Sequence, residues 1–256
     1  MKILAINSSY RGDRGHTRFL IDNLFKGARE CRAECEVITL SKSEINICKG
    51  CNTCQTKNHY LKCVYEEIDD VKTIFNKMAS ADIIVFGSPV YIFGISGLMK
   101  IFLDRMHSTG DSNDLGVSKS GLVFHHINKS ICSKPFVTII CCDNIEEETT
   151  QNTLSYFKTY SKFMDAPQVG TLIRNAGSLT GHGKDPDKEK KFPKIYDVYN
   201  AYEQAGRELA EYGKIANKTQ RKANQEIVPV PLFKYVKNLK PLKKEFIERA
   251  QKMKEA

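Results

Sequence analysis

Four cysteines, Cys48, Cys51, Cys54 and Cys63, read C-x2-C-x2-C-x8-C. Two successive two-residue gaps bring three thiolates around one centre, and an eight-residue reach can supply a fourth, which is the ligand set of a [4Fe–4S] cluster. Soft thiolates also bind zinc tetrahedrally, although structural zinc sites more often use two separated pairs. A loop of free thiols, structural or redox-active, is the third reading, and the residues alone leave all three open. Nine cysteines in a chain of 256 residues favour metal or redox work over disulfides in a reducing compartment. Cys31, Cys35, Cys132, Cys141 and Cys142 have no comparable grouping and are expected as small apolar residues of the interior.

A second chemical segment follows the first apolar run. NSSYRGDRGHT, residues 7–17, is rich in hydroxyls, contains glycine and leads into a helix. Ser8, Ser9 and Thr17 supply hydroxyl donors, Arg11 supplies positive charge, and the helix start supplies free N–H groups, which together make a phosphate cradle. The competing reading is a plain strand-to-helix turn capped by His16 or Thr17. Neither the G-x-G-x-x-G of a dinucleotide fold nor the G-x4-G-K-[ST] of a nucleotide triphosphatase is present.

A third segment, GSPVYIFGISG at residues 87–97, follows the most apolar strand. Pro89 sets local geometry, Gly94 and Gly97 permit close approach, and Tyr91 and Phe93 offer flat apolar surfaces to an aromatic ring system. The bland alternative is a hydrophobic loop packed into the core. Lys100 and Asp104 further on stand at i and i+4, a spacing that suits a helix-surface pair. No Ser-His-Asp order, H-E-x-x-H or paired-carboxylate signature appears, and His59, His107, His125, His126 and His182 lack evident partners.

Taken together, NSSYRGDRGHT, GSPVYIFGISGLMKIFLDR and the cysteines between them resemble the flavodoxin-like NADPH-dependent FMN reductase family, and particularly its iron-sulfur flavoprotein branch. The resemblance covers residues 1–215, and its second loop is the more specific motif. It implies that Ser9, Arg11, His16 and Thr17 hold the FMN phosphate, with Ser8 at the family's glycine. It also implies that Pro89, Val90, Tyr91, Ile92, Phe93 and Gly94 lie along the isoalloxazine. The sequence departs from the family at Ser8, at Tyr10 in place of proline and at His16 in place of asparagine, and its loop after the fourth strand reads Cys141, Cys142, Asp143 where glycines are usual. A thiol near the flavin would follow from that last position.

The elements that must position these residues are legible in the apolar pattern. Short apolar strands are expected at 2–7, 36–40, 82–87, 136–142 and 168–173, and helices at 17–25, 69–78, 97–106, 147–163 and 196–215; residues 108–131 carry no clear pattern. Strands alternating with helices, with fully apolar interiors, predict an α/β fold: a flavodoxin-like doubly wound five-stranded parallel sheet with helices on both faces. Its ligand site lies beyond the carboxyl ends of the strands, where the chemical loops fall.

Composition bounds the rest. The chain is 41% hydrophobic and 27% charged, which suits a folded domain and excludes disordered or collagen-like classes. Of the net charge of +9, residues 218–256 hold 11 Lys or Arg against 4 Asp or Glu, so the body is nearly balanced. We therefore expect a domain at 1–217 with a cysteine-rich insertion at 48–63, and a basic C-terminal extension at 218–256 that packs on the domain or a second subunit rather than binding nucleic acid. The apolar stretch 83–99 contains proline and glycines and makes a poor membrane span, and the N-terminus leaves no room for a signal peptide, so a cytoplasmic protein with no membrane association is expected.

The combined expectation is an FMN-dependent oxidoreductase with a [4Fe–4S] cluster on Cys48, Cys51, Cys54 and Cys63. It would pass electrons from a reduced nicotinamide nucleotide or ferredoxin-type donor to an acceptor, and the resemblance implies a dimer or tetramer. The rivals are a cluster-free NAD(P)H-dependent FMN, quinone or nitro reductase, and a flavin- or zinc-binding regulatory module.

Overall fold

The computed structural model describes residues 1–228 together with Pro241, Lys244, Glu245, Ile247 and Glu248. Strands and helices alternate from the start: β1 (Lys2–Asn7), α1 (His16–Glu30), β2 (Glu34–Thr39), α2 (Val71–Ser80), β3 (Ile83–Pro89) and α3 (Gly97–Asp104). Next come β4 (Gly110–Val117), β5 (Val123–Ile127), α4 (Lys129–Cys132), β6 (Phe136–Cys141), α5 (Gln151–Phe163) and β7 (Gln168–Arg174). The described chain continues with α6 (Gly177–Thr180), α7 (Pro186–Lys191), α8 (Lys194–Tyr212) and α9 (Asn217–Ala223).

Five strands form one parallel sheet in the order β2-β1-β3-β6-β7. Counted within the sheet this is 2-1-3-4-5, the doubly wound order whose switch point lies between β1 and β3. Alternate side chains of each strand feed opposite layers. Ile3, Ala5, Ile83 and Val85 pack with α1 and α8, whereas Leu4, Ile6, Ile84 and Phe86 pack with α2, α3 and α5. Because β1, β3 and β6 are covered on both faces, they read as continuous apolar runs in the sequence.

Several boundaries differ from the sequence pattern for local reasons. A 3-10 turn (Glu147–Thr150) precedes α5, and α8 stops at Tyr212, where the N–H of Gly213 returns to the Leu209 carbonyl. The unpatterned stretch folds as an antiparallel hairpin, β4 with β5, interrupted by a bulge between Asp111 and Leu115. Most of its residues face solvent, so no apolar alternation marks it.

The start of the basic segment packs on the edge of the sheet. Gln220 and Asn224 accept the N–H groups of Thr171 and Ile173 at 2.9 and 2.7 Å, covering the free edge of β7, and Ala223 and Ile227 are buried. Pro229, Pro231, Phe233, Tyr235 and Phe246 of the expected extension lie outside the described residues. Among the described residues no helix is long and apolar enough to cross a membrane.

Candidate functional site

At the carboxyl edge of the sheet the loop after β1 folds on itself. Asn7 Oδ1 accepts the Ser9 N–H at 3.2 Å, Ser9 Oγ accepts the Arg11 N–H at 3.3 Å, and the Ser9 carbonyl accepts the Gly12 N–H at 2.9 Å. Gly15 has no room for a side chain, since a Cβ there would stand 2.4 Å from Ser9 Oγ. The first helical hydrogen bond of α1 runs from the Phe19 N–H to the Gly15 carbonyl, so the N–H groups before it are left at the helix start. Thr17 is buried, its methyl against Gly87 of β3, while Arg11 is exposed.

Ser8 is the sequence-predicted residue whose hydroxyl the fold spends elsewhere. It is fully buried, donates to the Gly87 carbonyl at 2.9 Å and receives the Ser96 hydroxyl at 2.7 Å. Ser96 in turn caps α3 by accepting the Met99 N–H at 3.1 Å. Ser8 therefore ties the β1 loop to β3 and to the start of α3.

The loop after β3 turns back between Tyr91 and Gly94, which exchange N–H···O bonds of 3.1 and 3.2 Å. The two residues at the tip, Ile92 (φ 44°) and Phe93 (φ 63°), sit in the left-handed region, a conformation that branched and bulky side chains adopt at a cost of about 1–2 kcal/mol each. Ile92 is 92% exposed and Phe93 58%. The Tyr91 ring packs against that of Tyr10 at 5.8 Å, so the two loops meet through their aromatic residues. The Val90 N–H donates to the Cys141 carbonyl at 2.8 Å, drawing this loop to the end of β6. Burial first, then the neighbouring Cys141 and Asp143, pushes the Tyr91 phenol up, against the pull of Arg11.

Beside these loops lies a set of polar groups that sequence reasoning did not bring together. His16 meets His182 edge to face at 5.4 Å, and His16 Nδ1 and both ring nitrogens of His182 are buried without a partner among the described residues. Burial, reinforced by Lys184, holds the His16 imidazole below its usual range, with Asp143 partly offsetting this. The Cys141 thiol is buried at the end of β6, and burial pushes it up to about 12. At neutral pH it stays protonated and is not a nucleophile.

The cysteine-rich insertion joins β2 to α2 and is built of 3-10 turns. Cys48, Cys51, Cys54 and Cys63 all line one narrow cavity, together with Tyr65, Arg105 and His107. All four are free thiols; Cys54 is buried, Cys51 exposed, and Cys48 and Cys63 half-buried. Thr53 Oγ1 donates to Cys51 Sγ at 3.4 Å, and that bond is the main cause lowering the Cys51 thiol. Gln55 Nε2 donates to Cys54 Sγ at 3.6 Å and to the Gly110 carbonyl at 2.9 Å, pinning the loop to β4. Among the described residues no three His, Cys, Asp or Glu side chains are drawn in to the distance at which they would hold a single metal ion.

Arg105, at the C-terminal end of α3, anchors this insertion. Its guanidinium is buried, donates to the Asp69 carboxylate and to the Asn46 carbonyl at 3.0 Å, and lies over the Tyr65 ring at 5.4 Å beside Cys63. Lys100 and Asp104 on the same helix make the expected partly exposed i,i+4 pair. Thus α3 connects the two sites. Its cap, Ser96, touches the phosphate-type loop and its far end, Arg105, holds the cysteine loop, nine residues or about 14 Å of helix apart.

Of the other cysteines, Cys132, Cys141 and Cys142 are buried, and Cys31 and Cys35 half-buried. Sequence reasoning named Tyr10 and Asp143 only as departures from the family pattern, and missed Lys184 and the burial of His182. The only local signal was the G-H-G-K run at 181–184, whose two glycines mark a tight turn.

Compared with known proteins, residues 1–124 match the family described as NADPH-dependent FMN reductase. An iron-sulfur flavoprotein of Clostridioides difficile is 32% identical over 200 residues, covering 77% of this chain and 76% of that one. An iron-sulfur flavoprotein of Methanocaldococcus jannaschii is 40% identical over 105 residues, 41% of this chain and 51% of its own length. The match therefore spans about half the length of the archaeal relative. Among solved structures, an FMN-dependent NADH-azoreductase from Bacillus anthracis, in complex with FMN, superimposes with a TM-score of 0.58 over 82% of this chain and 99% of that one. At 15% identity that likeness speaks for the fold alone.

Proposed function

Because this chain belongs to the NADPH-dependent FMN reductase family, in its iron-sulfur flavoprotein branch, we propose that it is an FMN-dependent oxidoreductase carrying a [4Fe–4S] cluster. In this reading it passes electrons from a reduced nicotinamide nucleotide or a ferredoxin-type donor to an acceptor. The observation that carries it is the single short helix, α3, capped against the β1 loop through Ser96 and Ser8 and anchored to the cysteine loop through Arg105.

The residues present fit FMN. The loop after β1 presents the exposed Arg11 and the free N–H groups at the start of α1, Tyr10, Tyr91 and Phe93 form an aromatic lip beside it, and His16 Nδ1 is buried without a partner among the described residues. Ser9, Arg11, His16 and Thr17 would hold the phosphate, while Pro89 to Gly94 would border the ring. FMN, when bound, supplies acceptance of a hydride or of single electrons. The protein's own work is to fix the phosphate electrostatically, to shield the ring with the 91–93 turn, and to keep Cys141 protonated and inert beside it.

The cysteine donor set also fits a cluster. Four thiols share one cavity wall, with Thr53 and Gln55 donating to sulfur and the Arg105 guanidinium available to offset thiolate charge. Cys48, Cys51, Cys54 and Cys63 would be the ligands, and a cluster supplies one-electron transfer. The exposed apolar residues Leu115, Val117 and Val123 of the hairpin support assembly as a dimer or tetramer.

Anaerobic purification with iron, sulfide and flavin assays tests this. The expected result is bound FMN with about four iron per chain, as for a single four-iron cluster, and loss of iron but not of flavin in Cys54→Ser. Flavin without iron would reduce the proposal to a cluster-free reductase. Arg11→Ala is expected to weaken FMN binding by about 1–3 kcal/mol through loss of a charge-assisted contact, read by calorimetric titration. An unchanged affinity would remove Arg11 from the site.

A further inference from the structure

The turn after α6 stands outside the motifs that carry the family resemblance, and its backbone is unusual. Gly181 (φ 80°), His182 (φ 36°) and Gly183 (φ 72°) lie consecutively in the left-handed region. Gly183 tolerates no side chain, because a Cβ would stand 2.2 Å from the Phe19 ring of α1. Its N–H donates to the Glu189 carboxylate, which also accepts the Tyr199 hydroxyl at 2.5 Å. A non-glycine residue in this conformation is strained, and strain held by surrounding contacts points to a functional constraint.

The turn has two consequences. It buries His182 completely, edge-on to His16 at the start of α1, with both ring nitrogens unpartnered among the described residues. It also returns Lys184 to the β1 loop, where the ammonium donates to the Arg14 carbonyl. Lys184, Arg11 and Arg14 are close enough that, together with burial, the two guanidinium groups depress the lysine's affinity for its proton. Among the described residues no ion pair joins any of the three to a carboxylate. Asp13, the acid of this loop, is taken by Arg18, Lys42 and Thr39. Asp143, a further acid at this site, lies beside His16, accepts the Ser178 N–H and makes no ion pair with the three. Three cations beside a helix N-terminus without a carboxylate in contact are arranged for an anion.

We infer that the turn Gly181–Lys184 is a second wall of the phosphate site, and that Lys184 is a further phosphate-binding residue that makes the cleft select phosphorylated over unphosphorylated flavin. The inference rests on the FMN reading above and extends it to a loop 170 residues from Arg14.

Titrating FMN and riboflavin separately into flavin-free full-length protein, followed by quenching of flavin fluorescence, tests it. Lys184→Gln is expected to weaken FMN binding about tenfold or more, the size of a lost hydrogen bond to a charged group. Riboflavin affinity should stay within about twofold, and Lys184→Arg should retain most of the preference for FMN, because the interaction is read as charge. The FMN affinity of Lys184→Gln should also depend less steeply on salt than that of the wild type. Equal losses for FMN and riboflavin would make Lys184 a structural support of the loop and overturn the inference, as would no loss for either. A wild-type chain that binds neither flavin would instead bring down the FMN reading, and this inference with it. Circular dichroism of each variant separates these results from misfolding.

Discussion

Gly206→Ala and Gly27→Ala each yield a protein that unfolds at markedly lower urea than the wild type. Helices α1 and α8 cross so closely that a Cβ on Gly206 would stand 1.9 Å from the Leu24 carbonyl oxygen and 2.7 Å from the Ala28 nitrogen. A Cβ on Gly27 would stand 1.8 Å from the Glu203 carbonyl oxygen. The obstructing atoms are backbone, so no rotamer change relieves the clash and the helices must separate. Alanine is the better helix former by about 1 kcal/mol. Separation loosens a layer built from Leu20, Leu24, Ala201, Ala205 and Leu209, and we expect a net loss of about 2 kcal/mol or more, the overpacking cost exceeding the propensity gain. Gly116→Ala is the control, since its Cβ would meet nothing nearer than 4.0 Å, and its midpoint should move by less than about 0.5 kcal/mol. A Gly206→Ala midpoint equal to that of the control would show that the helices can part freely. Because α1 begins at the loop proposed to hold the phosphate, the same substitutions should also weaken FMN binding without touching any residue assigned to hold it.

Arg105→Met is the second large effect. The Asp69 carboxylate and the Arg105 guanidinium are both fully buried, and removing one partner of such a pair leaves the other charged and unpaired, which costs about 3–5 kcal/mol. Burial alone would push the Asp69 carboxyl up. The Arg105 guanidinium and the N–H groups of Asn46 and Val71 outweigh that and hold it below the ordinary carboxylate range. A carboxyl lowered by folding contributes stability that is complete above its unfolded value, about 3.9, and is lost as the pH falls through the folded value. The gap in urea midpoint between wild type and Arg105→Met is therefore expected to be full at pH 7 and to shrink once the pH drops below about 4. A gap that persists unchanged in acid would mean that the ionised pair is not what Arg105 contributes. The double variant Arg105→Met, Asp69→Leu should recover much of the loss, because exchanging both charges for apolar groups removes the orphaned carboxylate. Its iron content should remain low, since Asn46 and the loop carrying Cys48 to Cys63 lose their tether to α3.

How much of the site could be read locally varied with the range of the contacts involved. The β1 and β3 loops were legible because hydroxyls, glycines and aromatics of one short segment stay together whatever the rest of the chain does. Ser8 shows the limit. Its hydroxyl suits a phosphate by type, yet the parallel pairing of β1 with β3 turns it into the sheet, where the Gly87 carbonyl and Ser96 engage it. The hairpin at 110–127 escaped because a solvent-facing ribbon imposes no apolar period on its residues.

The amino-acid sequence by itself determined the succession of strands and helices, the positions of the loops and the grouping of four thiols within sixteen residues, because burial on both faces of a sheet writes apolar runs and cysteines separated by two residues stay together in any loop. Only the tertiary structure decided what faces those loops. The order 2-1-3-4-5 leaves β7 three strands from β1, and the segment after β7 crosses back over the end of β6, where the Gly177 N–H meets the Cys142 carbonyl, to bring Lys184 to Arg14. The length of α3 brings Arg105 to Asp69, 36 residues away, and through it ties the cysteine cavity to the cleft. Such contacts depend on how the layers stack, and no local period of the chain encodes that.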